Sequence, residues 1–299
     1  MASNSKRRLP PWLKAKAPGH PNYIALKNLL ADLQLNTVCE SAHCPNIGEC
    51  WSQRTATFMI LGDVCTRSCG FCAIKTGRPQ WLDEGEPERV AAAIARLGLE
   101  HAVITSVNRD ELPDGGARIF ARTIAAVHRL CPETSVEVLI PDFKGDWHAL
   151  ATVLEAGPDI LNHNIETPPR LYPTMRPQAR YGRSLELLDR ARKMSPAPTK
   201  SGMMLGAGET KREIAQSIQD LADVGCAILT LGQYLSPSTH HVPVERFVHP
   251  DEFAEWQRFA LGLGFRHVES GPLVRSSYHA ASQVEQVRAA TPLPPERSP

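Results

Sequence analysis

The sequence predicts an α/β fold, a partial (β/α)6 TIM-like barrel with N-terminal and C-terminal extensions. Three observations carry that prediction. Short apolar runs alternate with amphipathic runs at helical spacing from residue 57 onward. Glycine and proline punctuate the joins, as at Gly98, Gly157-Pro158, Gly225 and Gly264. Polar residues gather just after the apolar runs, where parallel α/β sheets hold their ligands.

The strand candidates are residues 57–61, 101–107, 135–140, 160–165, 200–205 and 227–231, with a weaker seventh at 267–269. The helix candidates are 87–97, 117–130, 147–156, 184–193, 211–224 and 251–263. Alternation in this order implies parallel strands joined by crossover helices. Six units are too few for an eight-unit barrel and suit an open one; a doubly wound sheet is the alternative. Ahead of the barrel, Ile24, Leu26, Leu29, Leu30 and Leu33 recur at helical spacing. The chain therefore divides into an N-terminal extension at 1–56, a barrel at 57–272 and a C-terminal segment at 273–299.

Composition narrows the function classes. With 299 residues, 42% hydrophobic and 22% charged, the chain can bury a sizeable core. A formal net charge of +1 gives no electrostatic case for nucleic acid. No apolar run approaches a membrane span, so no span is expected. The N-terminus has basic residues but no apolar core segment, which argues against a secretory signal. A Pro-rich surface arm is the preferred reading over a transit peptide, and the tail at 291–299 is expected to pack loosely. These features point to the cytoplasm, and the lack of heptads makes a monomer the default.

Eight cysteines in such a chain should be reduced thiols. Six of them fall between Cys39 and Cys72. Cys65, Cys69 and Cys72 read C-x3-C-x2-C in GDVCTRSCGFCAIKTG, just after the first strand. Three thiolates on one loop can ligate three irons of a cubane and leave the fourth open to a cofactor. A zinc knuckle completed by a distant histidine is the alternative. Cys39, Cys44 and Cys50 read C-x4-C-x5-C in VCESAHCPNIGECW and suggest a second cluster. Zinc with His43 is disfavoured there, because adjacency to Cys44 strains shared tetrahedral ligation.

The first motif, with Phe71 before its last cysteine, resembles the signature of the radical S-adenosylmethionine superfamily. Both motifs in order, together with SVNRDELPDGGA, HNIET, LYPTMRP, KSGMMLGAGET and GPLVRSSYHA, resemble the lipoyl synthase family from about residue 9 to 280. The resemblance implies two [4Fe-4S] clusters. The radical cluster would sit on Cys65, Cys69 and Cys72. The auxiliary cluster would sit on Cys39, Cys44, Cys50 and, through the RSSY motif, Ser277.

The implied reaction breaks unactivated C–H bonds at C6 and C8 of an octanoyl chain, beyond the reach of any side chain. Cleavage of S-adenosylmethionine would supply a 5′-deoxyadenosyl radical, and the auxiliary cluster would be consumed as the sulfur source. The substrate would be octanoyl-lysine on a lipoyl-carrier domain, either 2-oxoacid dehydrogenase E2 subunits or the glycine cleavage H protein. An electron donor such as ferredoxin or flavodoxin and an iron–sulfur cluster carrier follow as partners.

For S-adenosylmethionine, Asn164 and Glu166 are expected at the ribose, Gly115 and Gly116 at a close backbone approach, and Arg109 at the carboxylate. Against these stand plainer roles: a turn for the glycines, a structural pair for Glu166, and a salt bridge to Asp110 or Glu111 for Arg109. His240 and His241 read as a surface or substrate-facing pair, Met203 and Met204 as strand core, and Cys131 and Cys226 as buried structural thiols. Asp110, Glu111 and Asp114 could serve acid–base chemistry that a radical route does not need. The rival functions are a biotin-synthase-like sulfur inserter, a zinc-binding module and a tRNA-modifying radical enzyme.

Overall fold

A computed structural model describes residues 9–15, 19–52, 56–280 and 283. The basic residues 1–8 and the tail from 284 onward lie outside the described residues. Seven strands form the barrel wall: β1 (Thr57–Ile60), β2 (His101–Ser106), β3 (Ser135–Leu139), β4 (Ile160–Asn162), β5 (Thr199–Leu205), β6 (Ile228–Gln233) and β7 (His267–Gly271). Each pairs in parallel with the next in chain order. The weak seventh candidate is a full strand, in register with β6 over five residues from His267↔Ile228 to Gly271↔Gly232.

Six helices return the chain between them: α1 (Glu86–Leu97), α2 (Ala117–Leu130), α3 (Trp147–Glu155), α4 (Tyr181–Met194), α5 (Lys211–Asp223) and α6 (Pro250–Gly262). Their apolar faces explain their placement. Val90, Ala91 and Ile94 of α1 and Ile119, Phe120, Ile124 and Val127 of α2 are buried together against the strands. Local chemistry sets their ends. Gly98 at φ 60° stops α1 in the left-handed conformation. Thr210 and Glu213 form a reciprocal capping box at the start of α5.

The sheet stays open. β7 is one edge, and a two-residue strand, Asn36–Thr37, covers the other by pairing antiparallel with β1. Sequence periodicity is silent on so short a strand. The N-terminal extension, with helices Pro21–Asp32, Val38–Ser41 and Ile47–Ser52, packs Leu26, Leu30 and Trp51 into the main core.

The barrel interior holds an ion pair as well as apolar side chains. Lys200 Nζ lies 2.9 and 3.0 Å from the two carboxylate oxygens of Glu137, and both side chains are fully buried. Asn162 donates to the same carboxylate at 2.8 Å. Burial alone would raise the Glu137 pKa, yet Lys200 and His101 hold it down at about 2.

Candidate active site

The radical-type triad sits on a loop fastened at both ends. A two-residue strand, Val64–Cys65, pairs in parallel with Lys75–Thr76, so residues 66–74 form a closed excursion over the strand ends. Arg67, inside the motif, anchors it. Its guanidinium bonds Asp110 at 2.7 and 2.9 Å and Asp142 at 2.6 Å. Asp142 also takes Arg183 at 3.1 Å; burial would raise its pKa, and Arg67 holds it down at about 2. The Cys65 sulfur accepts the backbone N–H groups of Arg67 at 3.4 Å and Asn108 at 3.3 Å. Gly70 lies so close to a neighbouring turn that a Cβ would sit 2.5 Å from the Thr174 carbonyl oxygen, so a side chain there is excluded.

The fourth strand is interrupted where the chemistry gathers. After Asn162 the chain leaves the ladder and returns through a single bridge, Glu166↔Met203, with Glu166 at φ 64°. A left-handed glutamate costs free energy and is typical of positions held for function. Asn164 and Glu166 line a cavity of about 180 Å³ with Cys65, Cys69, Cys72 and Arg176. Asn164 Nδ2 donates to Glu166 at 3.1 Å, while Asn164 Oδ1 and Arg176 Nε are buried without partners. Unsatisfied buried polar atoms facing a cavity are costly unless a ligand completes them. A polar cofactor suits that donor and acceptor set.

The other triad is assembled from both ends of the chain. Cys39, Cys44 and Cys50 surround a small cavity with Thr57, Arg275, Ser277 and Tyr278. Asn46 Nδ2 ties the extension to the Leu273 carbonyl at 2.6 Å. Trp51, fully buried, directs its indole N–H at Cys39 as a hydrogen-bond donor. That donor fits an anionic sulfur.

Burial pushes the Cys39 thiol up to about 11 and Cys50 to about 12, and it raises Cys44 too. In the other set it pushes Cys69 to about 11 and Cys72 to about 12. Ionisation within each set raises its neighbours further, a sign of how close the sulfurs stand. Among the described residues, no three His, Cys, Asp or Glu side chains are grouped as a single metal ion would need. Thiols spread around a cavity suit a cluster, in which each binds its own iron.

A larger cavity of about 390 Å³ joins the two regions. Phe71 and Cys72 line it on the radical-type side, and Val38, Ala42, His43 and Arg275 line it on the other. Met204, Leu139, Val274 and Leu235 give it apolar walls. At Gly202 a Cβ would lie 2.9 Å from Asn164 Oδ1, so glycine keeps that wall open.

Several expected contacts are corrected here. Arg109 is occupied: it bonds Glu111 at 2.5 Å, the Leu61 carbonyl at 3.0 Å and the Trp81 carbonyl at 3.2 Å, and it lines neither cysteine cavity. Gly115 and Gly116 face protein, not a ligand. Their left-handed turn starts α2, with Phe143 and Leu61 packed against them. Met204 reaches the cavity wall, and Cys131 is partly exposed, whereas Cys226 is buried. Sequence reasoning missed Arg67, Arg176 and Arg275. Their signal was position: Arg67 lies within the cysteine motif, Arg176 in LYPTMRP and Arg275 at the head of RSSY.

Comparison with known proteins decides what this arrangement is. A family model described as the radical SAM superfamily matches residues 59–221, and one described as the N-terminal domain of lipoyl synthase matches residues 1–44. A lipoyl synthase from Rubrobacter xylanophilus is 61% identical over 93% of this chain and 87% of its own. One from Roseiflexus sp. is 61% identical over 94% and 93%.

The chain belongs to the lipoyl synthase family.

As a member of that family it is a sulfur-inserting radical SAM enzyme that works with S-adenosylmethionine and [4Fe-4S] clusters. Its fold is shared more widely. Methylornithine synthase aligns with a TM-score of 0.52 at 13% identity over 71% of this chain and 69% of that one. Streptococcus suis SuiB bound to S-adenosylmethionine aligns at 0.53 and 10% identity, over 72% of this chain and 50% of that one. No helix of this lipoyl synthase family member, among the described residues, is long and apolar enough to cross a membrane.

Proposed function

We propose that this chain completes lipoyl groups in place, inserting sulfur at C6 and C8 of an octanoyl chain amide-linked to a carrier lysine. The carrying observation is the single, largely apolar cavity that touches Cys72 on one flank and the surroundings of the second triad on the other. In this reading Cys65, Cys69 and Cys72 hold the radical cluster, and Cys39, Cys44, Cys50 and Ser277 hold the auxiliary cluster. When bound, the clusters and S-adenosylmethionine supply the radical and the sulfur that side chains cannot.

The chain's own residues bind and orient. Asn164 and Glu166 hold hydroxyl or amino groups of S-adenosylmethionine, with the free Asn164 Oδ1 as acceptor. Arg176 takes the carboxylate role expected of Arg109: its Nη1 rests on the Asn164 carbonyl at 2.7 Å and its Nε is unpaired. The apolar wall seats the acyl chain and excludes water. The substrate is carried by 2-oxoacid dehydrogenase E2 subunits or the glycine cleavage H protein. Ferredoxin or flavodoxin delivers electrons, an iron–sulfur carrier rebuilds the auxiliary cluster, and the protein acts as a cytoplasmic monomer.

The test is anaerobic. Protein reconstituted with iron and sulfide receives S-adenosylmethionine, dithionite and an octanoyl-lysyl peptide, which is then weighed. A gain of two sulfurs less two hydrogens, lost in Cys50→Ala while 5′-deoxyadenosine still forms, supports the reading. Cluster-loaded protein that makes no deoxyadenosine overturns it.

A further inference from the structure

The segment 234–242 touches both the substrate cavity and the radical-cluster loop. Its first half lines the large cavity through Leu235, Ser236 and Pro237. Its second half clasps the loop: His241 Nε2 lies 3.0 Å from the Cys72 carbonyl, and the Val242 N–H bonds the Gly70 carbonyl at 2.9 Å. A carbonyl only accepts, so Nε2 carries the ring proton. Nδ1 then faces the Ser238 hydroxyl at 2.8 Å, which fixes the ring plane. Behind the clasp, the Tyr234 hydroxyl donates to the Val242 carbonyl at 2.6 Å, and Gln233 braces the following residues through Arg246 and Val248. Residues 241 and 242, which bond the ligand loop, thus lie between two braced stretches, 233–234 and 246–248. Pressure on residues 235–237 therefore has a short path to the Cys69–Cys72 turn, covalent as far as His241 and Val242 and hydrogen-bonded from there.

We propose that His241 is a positioning residue that couples occupation of the acyl cavity to the geometry of the radical-cluster loop. It touches no reacting atom. Its Nε2–H holds the Cys72 carbonyl, and a seated octanoyl chain bears on the wall four to six residues earlier in the same segment. Hydrogen bonds around a cluster are among the factors that set its potential, and loss of an outer partner typically costs about 10- to 100-fold in activity. This inference rests on the proposed assignment of Cys65, Cys69 and Cys72 to the radical cluster.

The experiment uses the full chain carrying Cys50→Ala, so that a single cluster is observed. Parent, His241→Ala and His241→Gln forms are loaded, reduced with dithionite and given S-adenosylmethionine with and without the octanoyl peptide. Deoxyadenosine formation and the electron paramagnetic resonance spectrum of the reduced cluster are recorded. In the parent, peptide should accelerate deoxyadenosine formation and shift the spectrum. In His241→Ala both responses to peptide should vanish, with deoxyadenosine formation in the presence of peptide down about tenfold, the low end for an outer partner. His241→Gln, which restores a donor, should recover most of each response. If His241→Ala fails to hold its cluster, the peptide response of His241→Gln decides. A peptide response equal to the parent's in His241→Ala overturns the proposal, as does a loss that Gln does not relieve. No deoxyadenosine from the loaded parent overturns the cluster assignment itself.

Discussion

Thr57, the first residue of β1, donates its hydroxyl to Ser277 Oγ at 2.7 Å and so joins positions 220 residues apart in the chain. The bond places the serine of the RSSY motif on the cavity of the second cysteine triad, beside Cys39, which Thr57 also contacts.

Removing that hydroxyl while keeping the shape, Thr57→Val, should destabilise the cluster-free protein by about 1 kcal/mol, the net value of one such bond. Urea unfolding of the two proteins measures it. An unchanged midpoint would mean that the Thr57–Ser277 bond contributes nothing to joining the chain ends. Ser277→Ala should cost a similar amount, and it should also end sulfur insertion while leaving deoxyadenosine formation intact.

Arg67 is buried between Asp110 and Asp142, so Arg67→Ala leaves carboxylates without their main counter-charge. Breaking such a buried pair costs roughly 3–5 kcal/mol. The loss should fall on the loop first: iron bound at Cys65, Cys69 and Cys72 should disappear while iron at the other triad remains. Iron analysis in the Arg67→Ala and Cys50→Ala backgrounds separates the two. Full loading of both sites in Arg67→Ala would show that the short strands alone hold the loop.

The Glu137–Lys200 pair makes a different claim, because it lies in the barrel interior and lines neither cysteine-triad cavity. Glu137→Ala should destabilise by about 3–5 kcal/mol, whereas Glu137→Met with Lys200→Met should recover most of that, since an apolar pair avoids the desolvation cost. Chemical denaturation of the three forms tests it; a double variant as unstable as the single one would count against the account. The pair also sets an acid limit. The Glu137 pKa is depressed to about 2 from its ordinary 4.5, so its contribution is complete above pH about 4.5 and is lost as pH falls toward 2.

The thiols set an alkaline limit in the cluster-free protein. Burial raises Cys39 and Cys69 to about 11, and Cys50 and Cys72 to about 12, from an ordinary 9.0. The unfolded chain sheds these protons first. Stability due to the neutral thiols is therefore full below pH about 9 and falls as pH rises toward 11–12. Melting temperature between pH 8 and about 11 should drop more steeply than in a variant with all four cysteines changed to serine. Equal slopes would refute it. Loaded protein, whose sulfurs carry no protons, should lack the excess slope.

What the sequence made legible was local. Each cysteine set lies within a dozen residues, and strand–helix alternation is a short-range signal, so both survive in one dimension. Pairings across the barrel do not. For Arg109 the bridge to Glu111, two residues away, was legible as the plainer role, while the Leu61 and Trp81 carbonyls that complete its shell are far off in the chain. Arg176 and Arg275 face the cavities only because α4 and β7 bring their flanking segments back over the strand ends. Glu137 and Lys200 could have been suspected: each is a charge inside an apolar strand, and their signs are opposite. Their adjacency depends on β4, which stands between their strands and contributes Asn162 to the same carboxylate.

The wall of the second triad's cavity is a seam between the two ends of the chain, closed by the Asn46–Leu273 and Thr57–Ser277 bonds. A compartment built on a seam can be opened and restocked while the barrel stays folded. During synthesis it is also the last part to close, because Ser277 leaves the ribosome after every barrel strand. Maturation and renewal thus share one door.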